Sequence, residues 1–448
     1  MPFISNTDKQ RTQMLEEIGV TSFQDLLKGI PEDLILTDSL TLDKPLSEIE
    51  VTRKVKELAS RNINTSEVVS FLGAGIYDHF IPAAVGYVIG RPEFYSAYTP
   101  YQAEVSQGTL QFIYEYQTLI CELTGMDASN ASMYDGATAC AEALLLALRH
   151  NKKKKVIISS LLHPHFKEVI ETYITPLGPE IIYIPQKNGR IDLEMLQKEI
   201  SDDVSVVLIP SPNFLGVIED LGSIEPILHE NKRALFIVST DPLSLMLFNP
   251  PGKYHADIVV GEGQVLGNKQ NLGGPLFGFF AVDHKLIRKM PGRIVGATVD
   301  TNGQKGYVLT LQAREQHIRR DKATSNICTN QSLCALAATV YMVLMGKQGL
   351  REVAEQSTIK AHYLFDRICR IDGFDSVYNS PFFKEFAVKT PIPPSDILSK
   401  LEKKGYFAGV DISKYGYEDQ LLIAVTEKRT KAELDSFADE LENIGKEV

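Results

Sequence analysis

The sequence is poor in most of the features that would assign it at a glance. Its 448 residues include five cysteines (Cys121, Cys140, Cys328, Cys334 and Cys369), an odd number with no CxxC pair. That pattern favours small buried hydrophobes in a reducing compartment over a disulfide framework or thiolate metal site. The histidines lack metal-ligand spacing, so no metal is expected. His163 and His165 flank a proline ahead of a helix and read as surface or capping residues. No apolar run reaches the ~20 residues of a membrane span; the most apolar, Leu333 to Met345, reads as a buried helix. The start, MPFISNTDKQRTQML, has no basic segment leading into an apolar one, so no secretion signal is expected and a cytoplasmic location is. Positive charge is scarce: 46 Lys and Arg against 57 Asp and Glu leave a formal charge of −11. Such a surface argues against nucleic acid as the main partner. The one basic run, Lys152 to Lys155, reads as a solvated loop between a helix and a strand. Nucleophile elbow, Walker loop, GxGxxG fingerprint and HExxH are all missing.

What is present describes a folded enzyme-like chain. Apolar residues make up 44% and charged residues 23%, and the length suits two or three domains of roughly 150 residues. Thr7, Ser22 and Ser47 each precede an apolar periodic run, predicting three helices in an arm over 1–67. An arm of this kind is expected to pack across a neighbouring or partner chain. Residues 68–136 are loop-rich in Gly, Tyr, Pro and Gln around a helix at 108–125. From 134 onward short β-rich runs alternate with amphipathic helices, which predicts a mostly parallel sheet with right-handed crossovers over 68–325. After residue 325 two long helices (326–346 and 349–370), three strand-like runs and a final helix from 430 predict a smaller α+β domain over 326–448.

Four segments carry side chains or backbone suited to chemistry. Asp135-Gly136-Ala137-Thr138-Ala139 opens a helix, so Gly136 and Thr138 stand where backbone N–H groups favour an anion; a simple N-cap by Asp135 or Thr138 accounts for it equally well. The loop Tyr98 to Gly108 packs Tyr98, Tyr101, Gln102 and Glu104 around Pro100, and Phe71 to His79 sets small residues before Tyr77 and His79. Functional side chains concentrate on loops of this kind. Asn271-Leu272-Gly273-Gly274-Pro275 is a turn or a close backbone approach. Arg319 to Asn326 is either an anion contact or a helix end with Ser325 or Asn326 as the next N-cap.

These loops closely resemble the P-protein of the glycine cleavage system, in the alpha (subunit 1) form found where that enzyme is split into two chains. The motifs are FLGAGIYDHFIP (71–82), AYTPYQAEVSQGTLQ (97–111), NASMYDGATACAEA (130–143), LGGPLFGFFAV (272–282) and REQHIRRDKATSNICTNQ (314–331), spread over nearly the whole chain. The resemblance implies an α/β fold of the fold-type-I, aminotransferase-like class, a large domain with a smaller C-terminal one. It implies a pyridoxal-phosphate glycine decarboxylase passing an aminomethyl group to the lipoyl arm of the H-protein, with the cofactor supplying the difficult chemistry. One departure stands out. Where that fold carries a histidine-lysine Schiff-base segment, this chain reads Asp257-Ile258-Val259-Val260-Gly261-Glu262-Gly263-Gln264-Val265-Leu266-Gly267, without lysine. Lys269 follows but sits among Asn268, Gln270 and Asn271 and is not taken as the Schiff base. Asp241, displaced after the strand at 235–239, is a doubtful partner for a pyridine nitrogen. The implied arrangement is an α2β2 assembly in which a beta subunit holds the cofactor. Tyr98, Tyr101 and Gln102, with Tyr77 and His79 second, would reach the partner's cofactor or glycine, and Gly136 and Thr138 would be a vestigial phosphate region. Two alternatives stay open: a self-sufficient homodimeric lyase using Lys269, and a structural or regulatory partner without a share in the site.

Overall fold

The first helices begin where capping chemistry directs. Thr7 accepts from the Gln10 amide at 3.3 Å while the Gln10 side chain accepts from the Thr7 amide at 2.8 Å, opening Asp8–Ile18. Ser22 with Asp25, and Ser47 with Glu50, repeat this reciprocal box ahead of Phe23–Leu26 and Glu48–Ala59. The computed structural model describes residues 5–36, 40–229, 234–270 and 274–446, and the chain falls into two compact units, 1–63 and 64–448. In the first unit neither Asp8–Ile18 nor Glu48–Ala59 buries a residue, and Met14, Ile18, Ile49 and Val55 are exposed.

The second unit is organised on a seven-stranded sheet. Its order across the sheet is Ala128–Ser129, Gly278–Val282, Ile258–Glu262, Leu235–Ser239, Val204–Pro210, Lys155–Ser159 and Glu180–Ile184. The last five of these run parallel, and Val204–Pro210 and Leu235–Ser239 are buried at every residue. A near-continuous apolar strand is what a sheet covered on both faces requires. The sheet is mostly parallel, as the alternating pattern predicts, and Gly278–Val282 pairs antiparallel with Ile258–Glu262. The sheet is therefore mixed at this edge. Residues 271–273 of the paired-glycine turn lie outside the described residues.

A four-stranded antiparallel sheet (Asp375–Ser376, Glu385–Lys389, Gln420–Ala424, Val410–Asp411) forms the C-terminal part. The two long helices predicted at 326–346 and 349–370 lie within Ser332–Ile368 and are separated by Gly346, whose backbone is non-helical at φ +59°. By length and composition this run could cross a membrane, yet half of its apolar window is buried inside the protein. It begins at Ser332, so neither Ser325 nor Asn326 is its N-cap. The hairpin Ile294–Val299 with Lys305–Thr310 was not anticipated; its outer half alternates weakly, burying only the first residues. All five cysteines are free; Cys140 and Cys334 are buried as expected, whereas Cys328 is exposed.

Candidate functional site

In open α/β sheets, ligands bind in the crevice beyond the carboxyl ends of the parallel strands. Here that crevice is bounded by Ser239, Thr240 and Asp241 after one strand, Glu262 at the end of the next, Pro210 to Phe214, His163 and Phe166, Gly75 and Tyr77, and Glu385. The helix Gly136–Asn151 opens into it. Asp135 accepts from the Thr138 amide at 2.7 Å, and the Thr138 hydroxyl accepts from the Asp135 amide at 3.2 Å, so the N-cap reading holds. The Gly136 N–H donates to Glu262 Oε2 at 3.0 Å. Glu262 Oε1 accepts from the amides of Gln264 at 3.1 Å and Phe277 at 3.4 Å. An internal carboxyl group thus occupies the helix N-terminus, where an external anion would otherwise be favoured. Only glycine fits at 136, because a Cβ there would lie 2.8 Å from both the Glu262 amide and Phe166. Burial pushes the Glu262 carboxyl up to about 8, against the pull of the Gly136 amide.

The FLGAGIYDHFIP segment is stitched into the same crevice from the small-sheet side. Glu385 Oε1 accepts from the Ala74 amide at 2.6 Å and Glu385 Oε2 from the Tyr77 hydroxyl at 2.9 Å. This approach needs glycine at 73, where a Cβ would meet Glu385 Oε1 at 2.0 Å. Burial pushes Glu385 up to about 7. Gln264 clasps the Tyr77 backbone through both its amide atoms, at 3.0 and 3.1 Å. Next to Glu385, Lys384 is 1% exposed. Its ammonium lies 2.6 Å from Asp241 Oδ2, an ion pair rather than an aligned hydrogen bond. It donates to His79 Nε2 at 2.9 Å and stands 3.8 Å from the centre of the Tyr77 ring. Because lysine can only donate, His79 Nε2 is the acceptor and Nδ1 carries the hydrogen that reaches Glu427 Oε2 at 2.6 Å. Burial, reinforced by the Lys384 cation, holds the His79 imidazole below its usual range and therefore neutral near pH 7. His163 is both cap and crevice wall. It accepts from the His165 amide, donates from Nε2 to the Ala74 carbonyl at 2.9 Å, and is driven by burial down to about 4.

The space left in the crevice is about 90 Å³, far below the ~300 Å³ at which cofactor pockets begin. Glu262 holds the helix N-terminus and Lys384 holds Asp241, the residue read as a doubtful partner for a pyridine nitrogen. The residues present therefore do not fit a pyridoxal phosphate. Lys269 is exposed and lines a different hollow with Ile81, Pro82, Ile89 and Leu333.

The other predicted residues lie elsewhere, and among the described residues no hydrogen bond or ring contact joins them to Tyr77 or His79. Tyr98 is 78% exposed and Tyr101 53%; Gln102 is exposed on the same loop. The Tyr101 hydroxyl accepts from Arg293 at 3.1 Å, and its ring meets His317 edge-on with centroids 6.3 Å apart. Glu315 Oε2 stands 3.6 Å from Arg293 Nε and 3.6 Å from His317 Nδ1. Two of the sequence motifs, the YTPYQ loop and REQH, thus meet at one surface. Arg293 and Lys384 escaped sequence reading because neither belongs to a motif whose spacing marks it.

A family model described as glycine cleavage system P-protein matches residues 1–441. This chain belongs to the glycine cleavage system P-protein family. "Probable glycine dehydrogenase (decarboxylating) subunit 1" of Chloroherpeton thalassium is 52% identical over 444 residues, covering 99% of this chain and 100% of the relative. The protein of that name from Chlorobium luteolum is 53% identical, covering 98% and 99%. Among solved structures, a glycine decarboxylase (P-protein) of the glycine cleavage system, in inhibitor-bound form, superposes with a TM-score of 0.91 at 40% identity, covering 99% of this chain and all of that one. A NIFS-like protein (TM-score 0.63, 14% identity, covering 85% and 100%) shares the fold alone. The fold-type-I architecture expected from the P-protein motifs is the one observed.

Proposed function

We propose that this chain is the subunit of a glycine decarboxylase that has given up its own cofactor crevice and completes a pocket on a partner chain. The single observation carrying this reading is the filled crevice: Glu262 on the Gly136 amide and Lys384 on Asp241 occupy both ends of it. The partner, a second subunit bearing the Schiff-base lysine in an α2β2 assembly, holds the pyridoxal phosphate. That cofactor, when bound there, supplies the electron sink for loss of the glycine carboxylate, and the aminomethyl group leaves on the lipoyl arm of the H-protein. This chain's part is to present Tyr98, Tyr101 and Gln102 from an exposed loop to the partner's glycine. Tyr77 and His79, committed to Glu385 and Glu427, shape the loop 71–82 from within. The exposed apolar residues of the arm fit a role in gripping the partner, and a chain of this kind works in the cytoplasm. Exposure of Lys269 speaks against the self-sufficient lyase.

The test is reconstitution. The chain alone should show neither an aldimine absorbance band nor glycine–CO₂ exchange, and both should appear on mixing with the partner subunit. A borohydride-reducible band in the isolated chain, lost on Lys269→Ala, would establish the homodimeric lyase instead. Full exchange in complexes carrying Tyr98→Phe and Tyr101→Phe would favour the purely structural partner.

A further inference from the structure

Tyr101 belongs to a loop whose backbone offers its phenol little guidance. The segment has one turn, from the Tyr101 amide to the Thr99 carbonyl at 2.8 Å, and a single 3-10 turn at Ala103–Val105. Yet the phenol has a defined partner in Arg293, a guanidinium only 5% exposed just ahead of the strand Ile294–Val299. We propose that Arg293 is a positioning residue that fixes the direction of the Tyr101 hydroxyl hydrogen, an inference that rests on the reading of Tyr101 as a contributor to the partner's site.

Donor and acceptor counts fix the direction of this hydrogen bond. Guanidinium has five N–H donors and no acceptor, whereas a phenol can both donate and accept. With the Arg293 terminal nitrogen 3.1 Å from the Tyr101 oxygen, the phenol oxygen accepts from it. The phenol's own hydrogen is then directed away from Arg293, free to donate to a group brought by a covering chain. Arg293 is itself held. The Ala131 amide donates to its carbonyl at 2.8 Å, and Glu315 lies 3.6 Å from its Nε, a nitrogen with no hydrogen bond of its own. Glu315 in turn is anchored by its neighbour Arg314, which donates to the carbonyls of Leu311, Met290 and Gly292. His317 supports the ring from its edge. Being buried, Arg293 acts through Tyr101.

The test uses the complex with the partner subunit and separates kcat from KM for glycine in the exchange reaction. Tyr101→Phe should lower kcat by up to about 100-fold, the scale of a small misplacement of a reacting group. Arg293→Gln should match that loss with KM changed less than about twofold, and the double variant should be no slower than the worse single one. Arg293→Lys, which keeps a donor and a charge, should recover part of the rate, and its effect should vanish once Tyr101→Phe is present. That pair keeps the question decidable if Arg293→Gln does not assemble. Wild-type kcat in both Arg293 variants beside a slow Tyr101→Phe overturns this inference and leaves the reading of Tyr101 standing. Losses that multiply in the double variants also overturn it, since they mark an independent structural role. A Tyr101→Phe complex at the wild-type rate overturns both.

Discussion

Replacing Lys384 with methionine removes the cation that bridges Asp241 and His79 while keeping most of the side-chain volume. The ammonium and Asp241 are 2.6 Å apart with side-chain exposures of 2% and 14%. At an effective dielectric constant of about 20, their attraction is about 6 kcal/mol, part of which offsets the cost of taking both ions out of water. The substitution leaves a carboxylate largely buried without its counter-ion, so Lys384→Met is expected to cost about 3–5 kcal/mol. Asp241→Asn should cost less, because the ammonium keeps His79 as acceptor. The double variant should recover at least about 2 kcal/mol of the summed losses, as groups in one network do. Urea unfolding followed by circular dichroism gives each value. A second readout is the His79 imidazole, whose depression owes part to the Lys384 cation and which should titrate higher in Lys384→Met by NMR. Single costs below about 1 kcal/mol that simply add, with His79 unmoved, would refute the idea that this pair closes the crevice.

Other outcomes follow from the same geometry. Glu262→Ala uncovers the Gly136 amide and should let inorganic phosphate at millimolar concentration raise the melting temperature of the variant and not of the wild type. His163 is held down to about 4 against about 6.5 in an unfolded chain, so the unfolded state binds more protons between those values. Stability from this group is present above pH 6.5 and is lost as pH falls towards 4, by up to about 3 kcal/mol; His163→Gln should flatten that part of the stability–pH curve. Deleting residues 1–63, whose two longer helices bury nothing, should leave the remaining chain folded and weaken its association with the partner subunit at least about tenfold, as measured by sedimentation.

Much of the fold was legible because local chemistry and tertiary need agree. Thr7, Ser22, Ser47 and Asp135 cap the helices they were expected to cap, and the buried strands from Lys155 to Glu262 announce themselves as β-branched runs. What was not legible has a physical cause. Gly278–Val282 has the same apolar composition as a parallel strand, and nothing in a residue's identity reports its direction. Gly346, by contrast, separates the two long helices where the sequence predicts a break. The crevice was half legible. The missing lysine and the small residues at 136–139 are visible in the sequence, but the side chains that fill the space come from positions 262 and 384, more than 100 residues apart, and only folding brings them together.

The filled crevice requires that the cofactor belong to the partner subunit. Reducing the assembled, glycine-free complex with borohydride and mapping the labelled peptides by mass spectrometry tests it directly. All of the reduced pyridoxyl label should fall on a lysine of the partner subunit, with Lys269 and Lys384 of this chain unmodified. Label on either of those two lysines would contradict the account.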